Sequence, residues 1–225
     1  EEEPAEPVEQ AEPTESVEPT EPAEAPPLEP AQYELTFDAM WSSGTHPTDF
    51  PSNPHFSGLI GAVHGPEAII WSEGQLASAG MKNMAETGGK TPLDSEIEAL
   101  VSQGTACELI SGDGVNPSPG MASVSFTASE ECPLVTVVTM IAPSPDWFVG
   151  VAGQDLRNED GTWADVVVVD LYPWDAGTDS GASYASANAP TSPPEEIFLM
   201  PGEPPIGENG TVMPFGTFTF TKVGG

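Results

Sequence analysis

Basic side chains are almost missing from this chain: 225 residues carry 4 lysines and arginines against 36 acidic residues, a formal net charge of -32. A field of that sign repels nucleic acid and anionic membrane surfaces and attracts divalent cations, which excludes the first two as partners. Long apolar runs are missing as well. No stretch reaches the roughly 18 apolar residues that a bilayer-spanning helix needs. Cysteine occurs only at Cys107 in "ACELIS" and Cys132 in "EECPLV". The pair has no metal-site spacing; in a secreted domain a disulfide is the natural reading, with two buried free thiols as the alternative. No signal peptide is visible, and a chain opening on "EEEPAEP" without Met is expected to be already processed. The expected location is therefore secreted, periplasmic or cell-surface anchored, the signal sequence having been removed.

Proline and glycine, by contrast, are abundant, with 26 and 23 copies. Much of the proline sits in residues 1–31, which hold 11 glutamates, 8 prolines and no basic residue. Glu3, Glu6, Glu9, Glu12, Glu15, Glu18, Glu21 and Glu24 recur in steps of three. That period matches polyproline II, and like charges repel and extend the chain further. With too little apolar surface to offset the entropy of ordering, residues 1–32 are expected to be a disordered acidic stalk. At about 3.1 Å per residue it would reach as far as roughly 90 Å. A purely solubilising tail is the other reading.

From Tyr33 the composition becomes that of one folded domain, 33–223, large enough for a sizeable core. "YELTFDAM" alternates Tyr33, Leu35 and Phe37 with Glu34, Thr36 and Asp38, the period of a half-buried strand. "SGLIGAVHG", "EAIIW", "ASVSFTA", "LVTVVTMIAP", "WFVGVAG", "ADVVVVDLY", "EIFLM" and "FGTFTFTKV" are read the same way, between Gly and Pro punctuation. Many short strands in one domain predict a mainly β fold, a sandwich or barrel. "QLASAGMKNMAET" and "LDSEIEALVSQG" have helical spacing instead and predict two short helices packed on one side. Met81 and Met84 read as core filler rather than a cofactor box.

The chemistry concentrates in "PSPDWFVG" and "YPWDAGTDSG". Aspartates are hard oxygen ligands, and calcium accepts six to eight oxygens from carboxylates, carbonyls and water, roughly arranged. Pro143 and Pro145 restrict the backbone before Asp146. Gly177 permits a bend that would bring Asp175 and Asp179 to one side. Such carboxylates repel without a cation. The plainer alternative is that Asp175 and Asp179 cap their own turns.

Other motifs are weaker. An EF-hand would need glycine and glutamate where Ser180 and Ser186 stand. His46, His55 and His64 fall at nine-residue intervals without the short-range pairing of common zinc sites. "TDSG" suggests a serine hydrolase using Ser180 with His46 as base, but lacks the surrounding pattern. Asn209 opens an "NGT" sequon, meaningful only on a eukaryotic secretory route.

Taken in order, "FDAMWSSGTHPTDFP", "HFSGLIGAVHG", Trp71, "ASAGMKNMAETG", "PSPDWFVGV" and "DLYPWDAGTDSG" resemble the spondin N-terminal domain family, the F-spondin/mindin-like domain. The resemblance spans roughly residues 33 to 223, and the acidic proline-rich N-terminus suggests a bacterial secreted or surface member. It implies an antiparallel β-sandwich similar to C2 domains, extracellular and non-catalytic, with a divalent cation at one end. Calcium is expected, with magnesium or manganese as substitutes. The family's metal-binding aspartates map onto Asp146, Asp175 and Asp179, with Trp147 and Trp174 as a supporting wall. A further glutamate of mindin-like members maps onto Thr127, near Glu130 and Glu131, so a carbonyl or water would replace it. The implied role is an adhesion or recognition module for a carbohydrate, glycolipid or surface protein. The alternative is a surface-displayed structural domain whose ion only stabilises loops.

Overall fold

The computed structural model describes residues 27–225; the expected stalk lies, through residue 26, outside the described residues. In chain order the elements are β1 (Ala31–Ala39), β2 (His55–Phe56), β3 (Ile60–His64), α1 (Ala79–Thr87), α2 (Leu93–Gln103), β4 (Ala106–Ser111), β5 (Gly120–Ala128), β6 (Leu134–Ala142), β7 (Trp147–Asp155), β8 (Val166–Leu171), β9 (Trp174–Asp175), β10 (Phe198–Leu199) and β11 (Gly216–Gly224). They form two antiparallel sheets. One has the order β5-β1-β11-β8; the other runs β10-β9-β7-β6-β3-β4, with β2 also pairing with β6. The fold is a mainly β sandwich with two helices.

β1 shows how the sequence specifies it. Ala31, Tyr33, Leu35, Phe37 and Ala39 are buried between the sheets while Gln32, Glu34 and Asp38 face water. They pack with Phe218 and Phe220 of β11 and, across the interface, with Val63, Val135, Val137 and Val149. Each large side chain so buried contributes about 1.5–3 kcal/mol. The Tyr33 hydroxyl avoids a desolvation cost by donating to the Ala164 carbonyl at 2.6 Å.

β6 departs from the half-buried pattern expected of it. Every residue from Val135 to Ala142 is buried, because α1 and α2 cover the second face of its sheet. Val135, Val137 and Ile141 face the sandwich core. Val138, Met140 and Ala142 face Met81, Met84, Leu93 and Ile97. A strand buried on both faces reads as a continuous apolar run. The methionines serve as core filler, as expected. Ser78 caps α1 by accepting the Met81 N–H at 3.1 Å, and Glu96 of α2 accepts the Gly80 N–H at 2.8 Å, tying the helices together.

Two expected strands are corrected. "EAIIW" is not a strand: a turn in which Ala68 N–H donates to Gly65 carbonyl at 3.3 Å carries the chain off the sheet, and Ile69 is exposed. "EIFLM" shrinks to the two residues of β10.

Cys107 on β4 and Cys132, in the β5–β6 connection, are joined by a disulfide with 25 residues of sequence separation. Closing a loop of that length constrains the unfolded chain by about 3 kcal/mol. Cys107→Ser with Cys132→Ser is expected to lower stability by about that amount, read as a lower urea midpoint with a steeper slope, because the released unfolded chain exposes more surface.

Candidate metal centre

The β6–β7 turn sets Asp146. Ser144 Oγ accepts the Trp147 N–H at 3.1 Å, and Asp146 is turned inward with no exposed surface. Its Oδ2 accepts three hydrogen bonds, from Thr178 N at 2.7 Å, Asp179 N at 3.0 Å and Thr178 Oγ1 at 3.1 Å. Its Oδ1 is buried and has no partner. Burial raises the Asp146 pKa, the Thr178 and Asp179 donors oppose this, and the charge of Asp179 adds to the rise.

Asp175 stands opposite Trp147 in the β7–β9 ladder. Its Oδ1 accepts the Gly177 N–H at 2.7 Å, the first half of a turn that Gly177 makes possible with φ 71. A Cβ at Gly177 would strike the Glu195 carbonyl. Gly177→Ala is therefore expected to cost about 2 kcal/mol through a left-handed backbone and a main-chain clash, read by chemical denaturation. The pKa of Asp175 is raised to about 7, first by burial and then by Asp146, with Glu195 adding to the rise; the Gly177 N–H counters it.

Asp179 is also buried, and both its oxygens are engaged: Oδ1 accepts from Gly181 N at 2.8 Å and Oδ2 from Ala189 N at 2.9 Å. Asp146 is thus flanked by both other aspartates. Among the described residues, no three His, Cys, Asp or Glu side chains converge closely enough to hold an ion as a set. Asp146 and Asp175 nonetheless suit a hard cation, since one presents a buried acceptor without a donor and the other is a carboxylate whose ionisation its neighbours oppose. Asp179 presents oxygens already committed to its own loop.

The remaining expectations sort by position. Trp147 is buried, stands opposite Asp175 in the ladder and meets Tyr184 edge-on at 5.3 Å, on the side expected of a supporting wall. Trp174 is not on that side, because successive strand residues point to opposite faces; it packs with Phe148 and Trp71 under the helices' side of the sheet. Thr127 is not brought here. Its N–H donates to Glu108 at 2.9 Å, and Glu108 lies beside Val63, which pairs with Val135 near the start of β6. Asp146 follows the other end of that strand, about 20 Å away at 3.3 Å per residue. Glu130 is also at the Thr127 end, accepting the Leu28 N–H at 3.2 Å.

The histidines are separated: His55 pairs with Ala142 and His64 with Leu134, the two ends of β6. His64 is held by Thr136 and the Gly65 carbonyl, and His46 by Thr45 and the Met213 carbonyl. Burial lowers the pKa of both rings, against these carbonyl contacts. Ser180 Oγ donates to the Ala189 carbonyl at 3.0 Å, and His46 is engaged elsewhere.

Sequence reasoning missed Thr178, the main support of Asp146, although it lies inside the same motif. It also missed Tyr184. Buried polar atoms without partners include Trp41 Nε1, Trp147 Nε1 and Tyr184 Oη along with Asp146 Oδ1. The Tyr184 ring packs against both indoles, with ring centroids at 5.1 Å and 5.3 Å. Burial raises the Tyr184 pKa.

An antiparallel sandwich with an acidic loop cluster at one end defines a β-sandwich module. A family model described as Spondin_N matches residues 31–209, and the chain belongs to the spondin N-terminal domain family. It is similar to Spondin-1 of Gallus gallus and of Rattus norvegicus, each 40% identical over 173 residues, covering 74% of this chain and 21% of the relative. It is also similar to Spondin-2 of Homo sapiens, 36% identical over 174 residues, covering 74% of this chain and 51% of the relative. The chain thus spans about a fifth of the length of the Spondin-1 relatives and about half that of Spondin-2.

Proposed function

We propose that this domain is an extracellular or cell-surface recognition module, non-catalytic, which holds a divalent cation between Asp146 and Asp175 and presents the surrounding loops to a carbohydrate, glycolipid or surface protein. The observation that carries the reading is the unpartnered, buried Oδ1 of Asp146, next to a carboxylate raised to about 7. Buried acceptors of this kind call for a water or an ion, and two adjacent carboxylates favour the ion. Calcium suits the place better than magnesium because it accepts irregular mixtures of carboxylate, carbonyl and water oxygens. When bound, the cation supplies positive charge that lets both carboxylates stay ionised. This chain's part is to aim Asp146 through Thr178 and Asp179, hold Asp175 through Gly177 and exclude solvent with Trp147 and Tyr184.

A second reading is favoured by Asp179, whose oxygens are both taken by its own loop: the ion stiffens the loops and touches no partner. Calcium titration calorimetry on the full chain, with magnesium and manganese as competitors, tests the common part. Capture of the chain on glycan and cell-surface arrays, with calcium and with chelator, separates the two. Calcium-dependent capture supports recognition through the ion; equal capture in both conditions supports the stiffening role. Absence of calcium binding in calorimetry removes both.

A further inference from the structure

The seven-stranded sheet has an unfinished edge. β7 is paired along its length with β6, but on its other side β9 covers only Trp147 and Phe148. From Val149 onward that side has no strand partner among the described residues. The cause is local. Tyr172 and Pro173 carry the chain from β8, the edge of the opposite sheet, into β9. β8 pairs with β11 in the opposite sheet, so on the β8 side of Pro173 the chain no longer runs as a strand beside β7. A cleft of about 490 Å³ lies in the fork, walled by residues 150–155 on one side and by Val169 and Asp170 on the other.

The cleft has the chemistry of a peptide site. Its floor offers a free strand edge, the element to which an extended segment adds through main-chain hydrogen bonds. Small residues, Gly150 and Ala152, leave the edge accessible. A register slip in the β6–β7 ladder and Gly153 at φ 64 place a bulge just beyond, which limits the pairing stretch to positions 149–152. Tyr172 and Leu199, both well exposed, supply apolar flanks at the rim. Glu73 and Asp170 also line it and have no ion-pair partner among the described residues, whereas Asp155 is held by Arg157 at 2.7 Å. An aromatic ring beside uncommitted carboxylates suits the aliphatic stem and charged head of lysine or arginine. A second copy of this chain is a poor occupant, because residues 32–225 carry 25 acidic and 4 basic residues and two such bodies repel.

We infer that the open edge of β7 at positions 149–152 is a docking site for an extended, lysine- or arginine-bearing segment of another protein, added in line with β9. The site is distinct from the aspartate cluster and does not rest on cation binding.

The test is a fluorescence-anisotropy titration of the full chain with a labelled ten-residue peptide alternating valine with lysine. Two further versions of equal charge carry N-methyl groups on one or the other alternate set of backbone nitrogens. Equal charge makes any attraction to the acidic N-terminus common to all three. One methylated version should lose about tenfold or more in affinity while the other binds like the parent, since only one set of N–H groups faces the protein. Glu73→Lys with Asp170→Lys should weaken the parent about tenfold without changing the melting temperature. Amide signals of residues 149–152 should shift on binding, and chelator should change nothing. Equal binding of all three peptides would overturn the strand-addition geometry. Native affinity in the double charge reversal, or a dimer in sedimentation that peptide does not dissociate, would overturn the site.

Discussion

Chelator is expected to lower the melting temperature of the native domain by about 5–10 °C relative to saturating calcium, and Asp146→Asn to abolish that difference. The magnitude follows from linkage: a ligand at about one hundred times its dissociation constant stabilises the folded state by about 2.7 kcal/mol. In a domain of this size each kcal/mol moves the midpoint by about 2–4 °C. Asparagine is the informative substitution because it keeps an oxygen to accept the Thr178 and Asp179 donors. It also sets an amide where the lone Oδ1 stands and removes the charge a cation needs. In chelator the variant should melt at or above the native domain, since burial already disfavours ionised Asp146. In calcium the order should reverse. Native protein indifferent to chelator would sink the cation reading. A variant well below native even in chelator would show that Asp146 acts as a charged cap for the "TD" backbone and nothing more.

On the proposed cation reading, capping and ligation divide among the three aspartates rather than competing for the whole motif. Asp179 organises the loop: its carboxylate bridges Gly181 and Ala189, while its own N–H holds Asp146. Asp146 is both held and open, with one oxygen saturated and the other bare. Asp175 is restrained on one oxygen only. The ordering Asp146, Asp175, Asp179 is thus also an ordering in how much acceptor capacity is left for an ion.

The sequence disclosed this arrangement unevenly. The alternation in β1 was legible because only one of its faces is buried, so burial is written as a period of two. β6 hid its second buried face: a continuous apolar run says that both sides are covered but not by what. The cover came from helices whose methionines were visible at helical spacing. Asp146, Asp175 and Asp179 were legible as a motif, whereas the roles of Thr178 and Tyr184 depend on which neighbours the turns place behind them. Thr127 failed for a related reason. Counting along a chain places a residue on a strand but not at one end of a sandwich. Trp174 failed through strand alternation, which puts it on the face opposite Trp147. The free edge of β7 had no sequence signal at all, because it arises from where β9 stops.

Calcium affinity is expected to fall about tenfold for each pH unit below 7, and so about a hundredfold between pH 7 and pH 5, levelling above about pH 8. Asp175 sets the window. Its folded pKa is raised from 3.8 to about 7 by burial first and by the charge of Asp146 second. Between about pH 4 and 7 the cation-free folded state holds a proton that the unfolded chain has released. Its stability therefore declines as pH rises through that window, by at most about 4 kcal/mol, and is level above it. A cation requires the ionised carboxylate and must displace that proton, so calcium recovers most stability where the proton has already left. Calorimetric titrations at several pH values, repeated in buffers of different ionisation enthalpy, would report one proton released per calcium below pH 7 and none above pH 8. Asp175→Asn should flatten both profiles, raising cation-free stability at pH 8 and removing the pH dependence of whatever affinity survives. Equal calcium affinity at pH 5.5 and pH 8 in the native chain would exclude Asp175 as a ligand, leaving the ion to Asp146 and the loop carbonyls.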